Sequence, residues 1–127
     1  SRRTADAAAQ IVALARFAAT QAAAEGTPYR LNFNLTEGSY WVTRQDGGAF
    51  TRPSREFGRT FSLPDGTAAS WRVQPGDPKR DYVEFRPDGR AEEATLRLTG
   101  RRGETVDVAC PSPVDRFRVV TDAESNG

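Results

Sequence analysis

The sequence predicts an α+β fold, one N-terminal helix followed by seven or eight short, essentially antiparallel strands. Two observations carry that prediction. Residues 5–25 are rich in alanine and hold neither glycine nor proline, which favours a helix. After Pro28 the apolar period changes from 3.6 to 2, and the alternating segments are joined by loops too short for parallel crossovers. A helix laid against sheet faces is the plan expected of this order, and 127 residues suit one domain over 1–127 with a single core.

Within the helix, Ile11, Leu14, Ala18 and Ala22, with Ala15 beside them, form one stripe of mostly small side chains that would permit close approach to a sheet. Val12 and Phe17 lie off its centre and are expected to widen the buried face. Gly26 and Pro28 mark the end. The start has no such marker, because neither Thr4 nor Asp6 is followed three residues later by Glu or Gln. A clear stop and a bare start suggest the distal part of a longer helix. The sequence also lacks methionine, so Ser1 is expected to follow a cut.

The β-rich part is expected over about 29–120. Leu31, Phe33 and Leu35 alternate with polar residues, and Glu37-Gly38-Ser39 turns the chain into a partner strand at 40–44. Residues 45–56 read as an exposed loop anchored by Phe50. Strands follow at 57–63 and 68–74 around Pro64-Asp65-Gly66, and at 82–86 and 93–99 around Pro87-Asp88-Gly89. Both Pro-Asp-Gly sites are predicted to close hairpins, since proline presets the first turn angle and glycine takes a left-handed conformation. A polar loop at 75–81 separates the two pairs. Strands at 105–110 and 116–120 and a frayed polar tail at 121–127 complete the chain.

The chemistry suggested by composition is mostly negative. There are 18 basic and 17 acidic residues, net charge +1, and no histidine, so the commonest general base and most transition-metal sites are excluded. Cys110 is the single cysteine, which rules out an internal disulfide and a thiolate cluster and reads as a small buried residue. No phosphate-binding glycine loop occurs. Glu92 and Glu93 are adjacent, so on a strand they would point to opposite faces and are expected to be solvated. Lys79 and Arg80 oppose calcium binding by Asp77 and Asp81. No catalytic residue, metal or cofactor is therefore predicted. Trp41 and Trp71 are expected in core or edge packing. Arg101 and Arg102, and Arg116 and Arg118 flanking Phe117, form the one arrangement suited to phosphates. On a strand Arg116 and Arg118 would share a face while Phe117 and Val119 face the core.

A helix ending ARFAATQAAAEGTPYRLNF, a Y-W-V strand, the F-x-L-P-D-G-x-A segment, L-x-L, a glycine turn, V-x-V and a closing R-x-R-V occur in this order. Over about 7–120 the chain resembles the GspH/FimT group of pseudopilins, the minor pseudopilins of type II secretion and the minor pilins of type IV pili. That resemblance implies a pilin-like fold and a filament subunit, not an enzyme, with other pseudopilins or minor pilins as partners and no small-molecule substrate. It implies a head in the periplasm, held at the inner membrane by an apolar helix that would precede residue 1. Subunit contacts would fall on the loops at 45–56 and 75–81, through Phe50, Arg52, Arg55, Lys79 and Arg80. Some similar pilins bind DNA through a C-terminal Gly-Arg-x-Arg motif. The matching positions here are Asp115-Arg116-Phe117-Arg118, with aspartate in place of glycine.

Overall fold

A computed structural model of the chain describes residues 2–120. The predicted tail at 121–127 lies outside the described residues. Helix α1 spans Arg2–Glu25, starting three residues ahead of the predicted position, so Thr4 and Asp6 sit within the helix and do not cap it. Thr4 is buried, and its Oγ1 donates to Glu104 Oε2 at 3.3 Å. At the other end Gly26 has φ 66° and the Thr27 N–H donates to the Ala22 carbonyl at 3.2 Å. This six-to-one bond with left-handed glycine is how a helix closes its last carbonyls when the chain must turn away. No helix among the described residues is long and apolar enough to cross a membrane.

Among the described residues nine strands follow: β1 Tyr29–Asn34, β2 Ser39–Asp46, β3 Ala49–Thr51, β4 Phe61–Ser62, β5 Ala68–Val73, β6 Tyr82–Phe85, β7 Ala94–Thr99, β8 Thr105–Cys110 and β9 Arg118–Val120. They form two antiparallel sheets. The first has the order β3-β2-β1-β6, with β4 also on β2, and the second has the order β5-β7-β8-β9. The strand beyond the predicted number is β3. Gln45 pairs with Phe50 and Asp46 with Ala49 around two glycines, so the first part of the segment read as a loop is a tight hairpin.

Neither Pro-Asp-Gly site closes a hairpin between its flanking strands. β4 pairs with β2 while β5 pairs with β7, and β6 pairs with β1. Both sites carry the chain from one sheet to the other. The local turns form as expected, with Gly66 and Gly89 at φ 84° and 89°, and the Thr67 N–H bonded to the Pro64 carbonyl at 3.0 Å. A turn reverses the chain; its flanks pair only if no better partner exists. β6 sets Val83 opposite Leu31 and Phe85 opposite Tyr29, a larger apolar match than the single Phe85 to Ala91 bridge across the turn.

The core lies between the helix and both sheets. Ala8, Ile11, Ala15, Ala18 and Ala22 meet Tyr29, Leu31, Val83 and Phe85 of one sheet and Leu96, Leu98, Val108 and Cys110 of the other. Val12 is buried and Phe17 partly so, stacked on Phe57 at 4.2 Å and edge-on to Tyr29 at 6.5 Å. The apolar helix face is thus wider than the stripe alone. Tyr29 also fastens the helix end, donating its hydroxyl to the Glu25 carboxylate at 2.9 Å. Burial and that carboxylate push its pKa up.

Candidate functional site

The outer face of the first sheet is built from alternate residues of β1, whose inner side chains are buried. Arg30 points outward and is held at three places. Its guanidinium lies 3.5 Å from the centre of the Phe50 ring and 4.2 Å from that of Tyr82, and its Nε donates to Glu84 at 2.9 Å. Arg80 continues this ladder over Tyr82 at 4.4 Å and pairs with Glu92. Such contacts between a cation and a ring face contribute about 0.5–1 kcal/mol each near the surface.

The five predicted contact residues therefore divide. Phe50 and Arg80 are committed within the head. Arg52 is too, bonding the Gly58 carbonyl at 3.0 Å and Thr60 Oγ1 at 2.7 Å and lying 5.2 Å from the Trp41 ring centre. Arg55 and Lys79 are exposed. Glu92, expected to be solvated, is half-buried. It accepts from the Glu84 N–H at 2.8 Å as well as from Arg80, and so ties loop 75–81 to β6. Trp71 packs edge-on against Phe33 and donates to Asp81 at 2.8 Å.

The four arginines predicted for phosphates are spread over three grooves. Arg116 borders a groove of 590 Å³ between α1 and the segment before β9, with Ala19, Ala23, Phe85 and Val114. Arg118 lines another, of 310 Å³, on the outer face of the second sheet. Arg101 and Arg102 line a third with Arg2 and Arg3 at the start of α1. The expected alternation at 116–119 fails because β9 begins only at Arg118. Phe117 is buried as predicted, but Val119 is 40% exposed. Arg16 Nε holds the Phe117 carbonyl at 3.1 Å, fixing the chain there to the helix.

One polar centre escaped the sequence reading. Asp107 is 5% exposed and accepts two parallel bonds from Arg97, at 2.8 and 3.1 Å, while Arg72 approaches it at 3.5 Å. A buried carboxylate requires such partners, since burying it alone would be very costly. The signal available was L-R-L facing V-D-V, with Arg97 directly opposite Asp107 in the register. Recognising it required knowing that β7 and β8 pair. Cys110 is buried, and its thiol reaches the carbonyls of Ser112 at 3.2 Å and Asp115 at 3.3 Å. Burial first, then the Asp115 charge, push its pKa up to about 11, which leaves an inert thiol pinning the turn before β9.

A family model described as type II transport protein GspH matches residues 7–112. The chain belongs to the GspH family. The match runs from the first turns of α1 past the end of β8, so it covers most of the helix, the whole first sheet and every strand of the second but β9. The fold of this GspH-family chain is also that of solved minor pilin-type proteins. It is similar to the minor pseudopilin EpsH from the type 2 secretion system of Vibrio cholerae, with a TM-score of 0.80 at 11% identity over 96% of this chain and 99% of that one. It is similar as well to the type IV minor pilin FimU of Pseudomonas aeruginosa, with a TM-score of 0.73 at 11% identity over 96% and 91%. No curated protein sequence matches it.

Proposed function

We propose that this GspH-family head is a minor pseudopilin of a type II secretion system, a structural subunit that acts through contacts with other pseudopilins and not by catalysis. The observation that carries this reading is the family match over residues 7–112, from the helix through β8. The near-complete overlap with EpsH in both directions supports it. In this reading the head faces the periplasm and an apolar helix continuous with α1 holds it at the inner membrane before assembly. One globular domain over 1–127 serves that role. Arg55 and Lys79, exposed on loops braced from within, are the predicted loop residues best placed to meet a neighbour.

The deciding experiment is co-purification of the full-length protein, from its native host, with the pseudopilins and the type IV minor pilins encoded in the same genome. Deletion of its gene, scored for protein export and for pilus formation, accompanies it. Capture of pseudopilins and loss of export support the proposal. Capture of pilus components alone with export intact moves the chain to the pilus. Similarity to the type IV minor pilin FimU supports that second reading, and DNA uptake is the form of it that Arg116 and Arg118 would serve. Salt-sensitive mobility shifts lost in an Arg116→Ala, Arg118→Ala variant would support DNA binding, and binding unchanged in that variant would dismiss the site.

A further inference from the structure

The groove at the start of α1 is framed by two turns. β7 runs into β8 through Gly100-Arg101-Arg102-Gly103, where the Gly103 N–H donates to the Gly100 carbonyl at 3.0 Å and Gly103 takes φ 83°. A Cβ at Gly100 would collide with the Glu104 carboxylate. With only hydrogen there, that carboxylate folds back over the turn to accept the Arg102 N–H at 3.0 Å and the Thr4 hydroxyl at 3.3 Å. Glu104 is thereby engaged in fastening this turn to α1. The second turn, residues 64–67, joins β4 to β5. The Arg101 guanidinium lies across its Gly66, where a Cβ would stand 2.6 Å from Nε, and bonds the Asp65 carbonyl at 3.3 Å.

These inward bonds leave the arginines turned outward. Arg2, Arg3, Arg101 and Arg102 are all exposed, and with Asp65 and Thr67 they line a groove of 390 Å³. Among the described residues, the side chains of Arg2, Arg3 and Arg102 take part in no hydrogen bond, ion pair or ring contact, unlike Arg30, Arg52, Arg59 and Arg80, which lie on rings. No apolar residue lines the groove, and four guanidinium groups there outnumber the carboxylates of Asp65 and Glu104. Such a place suits a hydrated anion rather than an apolar partner face, and a guanidinium fork matches phosphate oxygens. In the assembly reading an apolar helix runs into α1 at this end, so the groove belongs to the part of the head nearest the bilayer. A duplex would need a longer cationic track and would meet both carboxylates. Lipid phosphates are separate and mobile, and each can find a guanidinium while avoiding them.

We propose that Arg2, Arg3, Arg101 and Arg102 bind the phosphates of anionic lipid headgroups and so seat the base of the head on the membrane surface. This rests on the membrane placement in the assembly reading and adds to it a contact face. Each basic side chain close to an anionic bilayer strengthens binding about fivefold, an effect that salt screens.

The test is co-sedimentation of the 1–127 chain with vesicles of phosphatidylcholine alone and of phosphatidylcholine mixed about two to one with phosphatidylglycerol. Saturable binding is expected to the mixed vesicles only, and to be lost at high salt. Arg3→Gln with Arg102→Gln should weaken it about 25-fold. Arg86→Gln with Arg90→Gln removes the same charge from an exposed turn near the other end of α1, where Phe85 pairs with Tyr29, and should leave binding unchanged. Unaltered circular dichroism and Tm in both pairs show that the fold is kept. Equal binding to the two vesicle types, no binding, or equal loss from the two variant pairs overturns the proposal. So does binding of a duplex oligonucleotide that depends on Arg3 and Arg102 without vesicle binding, which assigns the cluster to nucleic acid. Inorganic phosphate that shifts the amides of Arg101, Arg102 and Gly103 in NMR spectra, again without vesicle binding, overturns it in favour of a free anion. Any of these failures leaves assembly standing if the full-length protein still co-purifies with pseudopilins. Absence of the full-length protein from the inner-membrane fraction overturns the membrane placement and this proposal together.

Discussion

Substituting Ala18 by leucine tests the claim that α1 sits where it does because its inner face is small. Ala18 is 0% exposed and lies among Ala15, Ala22 and the apolar strands. Leucine adds three carbons where no space is left, and overpacking of this kind costs about 1–3 kcal/mol. Unfolding entropy near the midpoint is about 2.1 cal/mol/K per residue, which for 127 residues makes each kcal/mol worth about 4 °C. Ala18→Leu should therefore lower Tm by about 4–11 °C. Ala9→Leu is the control, since Ala9 is exposed on the same helix and the intrinsic helix preference of leucine is nearly that of alanine. It should shift Tm by less than about 2 °C. Thermal and urea melts followed by circular dichroism measure both. Equal effects from the two variants, or a stabilised Ala18→Leu, would refute the close-approach argument.

Other outcomes follow from the same contacts. Arg97→Met takes both of its bonds from the buried Asp107 and leaves the longer Arg72 contact, and should lose about 3 kcal/mol in urea melts; adding Asp107→Leu should recover most of that loss. Phe50→Ala should lower stability by about 1 kcal/mol by removing the ring under Arg30. A subunit-contact role would instead reduce partner capture with stability intact. The Cys110 thiol should react with a disulfide reagent far more slowly in the native chain than after denaturation, because it is buried and its pKa is pushed up to about 11. Burial pushes the Tyr40 phenol up to about 12, with nearby Arg59 opposing. Since the folded value lies above the unfolded one near 10, the associated stability is fully present below about pH 10 and is lost as pH rises toward about 12. It amounts to on the order of 2 kcal/mol, read by tyrosinate absorbance beside unfolding.

The parts of this fold legible in the sequence are those fixed by short-range physics. The end of α1 was visible because Gly26 and Pro28 act locally, and the β1 to β2 hairpin was visible because Gly38 joins two alternating runs. The Pro-Asp-Gly segments mislead for a physical reason. Their turn chemistry is local and correct, but strand partners are chosen by matching apolar faces far apart in sequence, and β1 offers β6 a better match than β7 does. The surface suffers most from this. Arg97 and Asp107 look like ordinary polar residues on alternating strands until the register sets them opposite each other. Arg116 and Arg118 look paired until the strand is seen to begin between them.

The residues that seemed most ready to touch a partner are largely those that hold the head together. An exposed arginine beside an aromatic ring can stack on it at little cost, and the chain uses this repeatedly, with Arg30 on Phe50 and Tyr82, Arg52 on Trp41, Arg59 on Phe61 and Arg80 on Tyr82. These contacts hold β3 and the loops around 52–60 and 75–81 against a sheet whose inner face is already committed to α1. A subunit that must present one shape to its neighbours gains from such bracing, because loops ordered beforehand lose less entropy on binding. The arginine-rich composition, whose charge nearly cancels over the chain, is in this light less a signal for polyanions than a way to stiffen a small β-rich head from its outside.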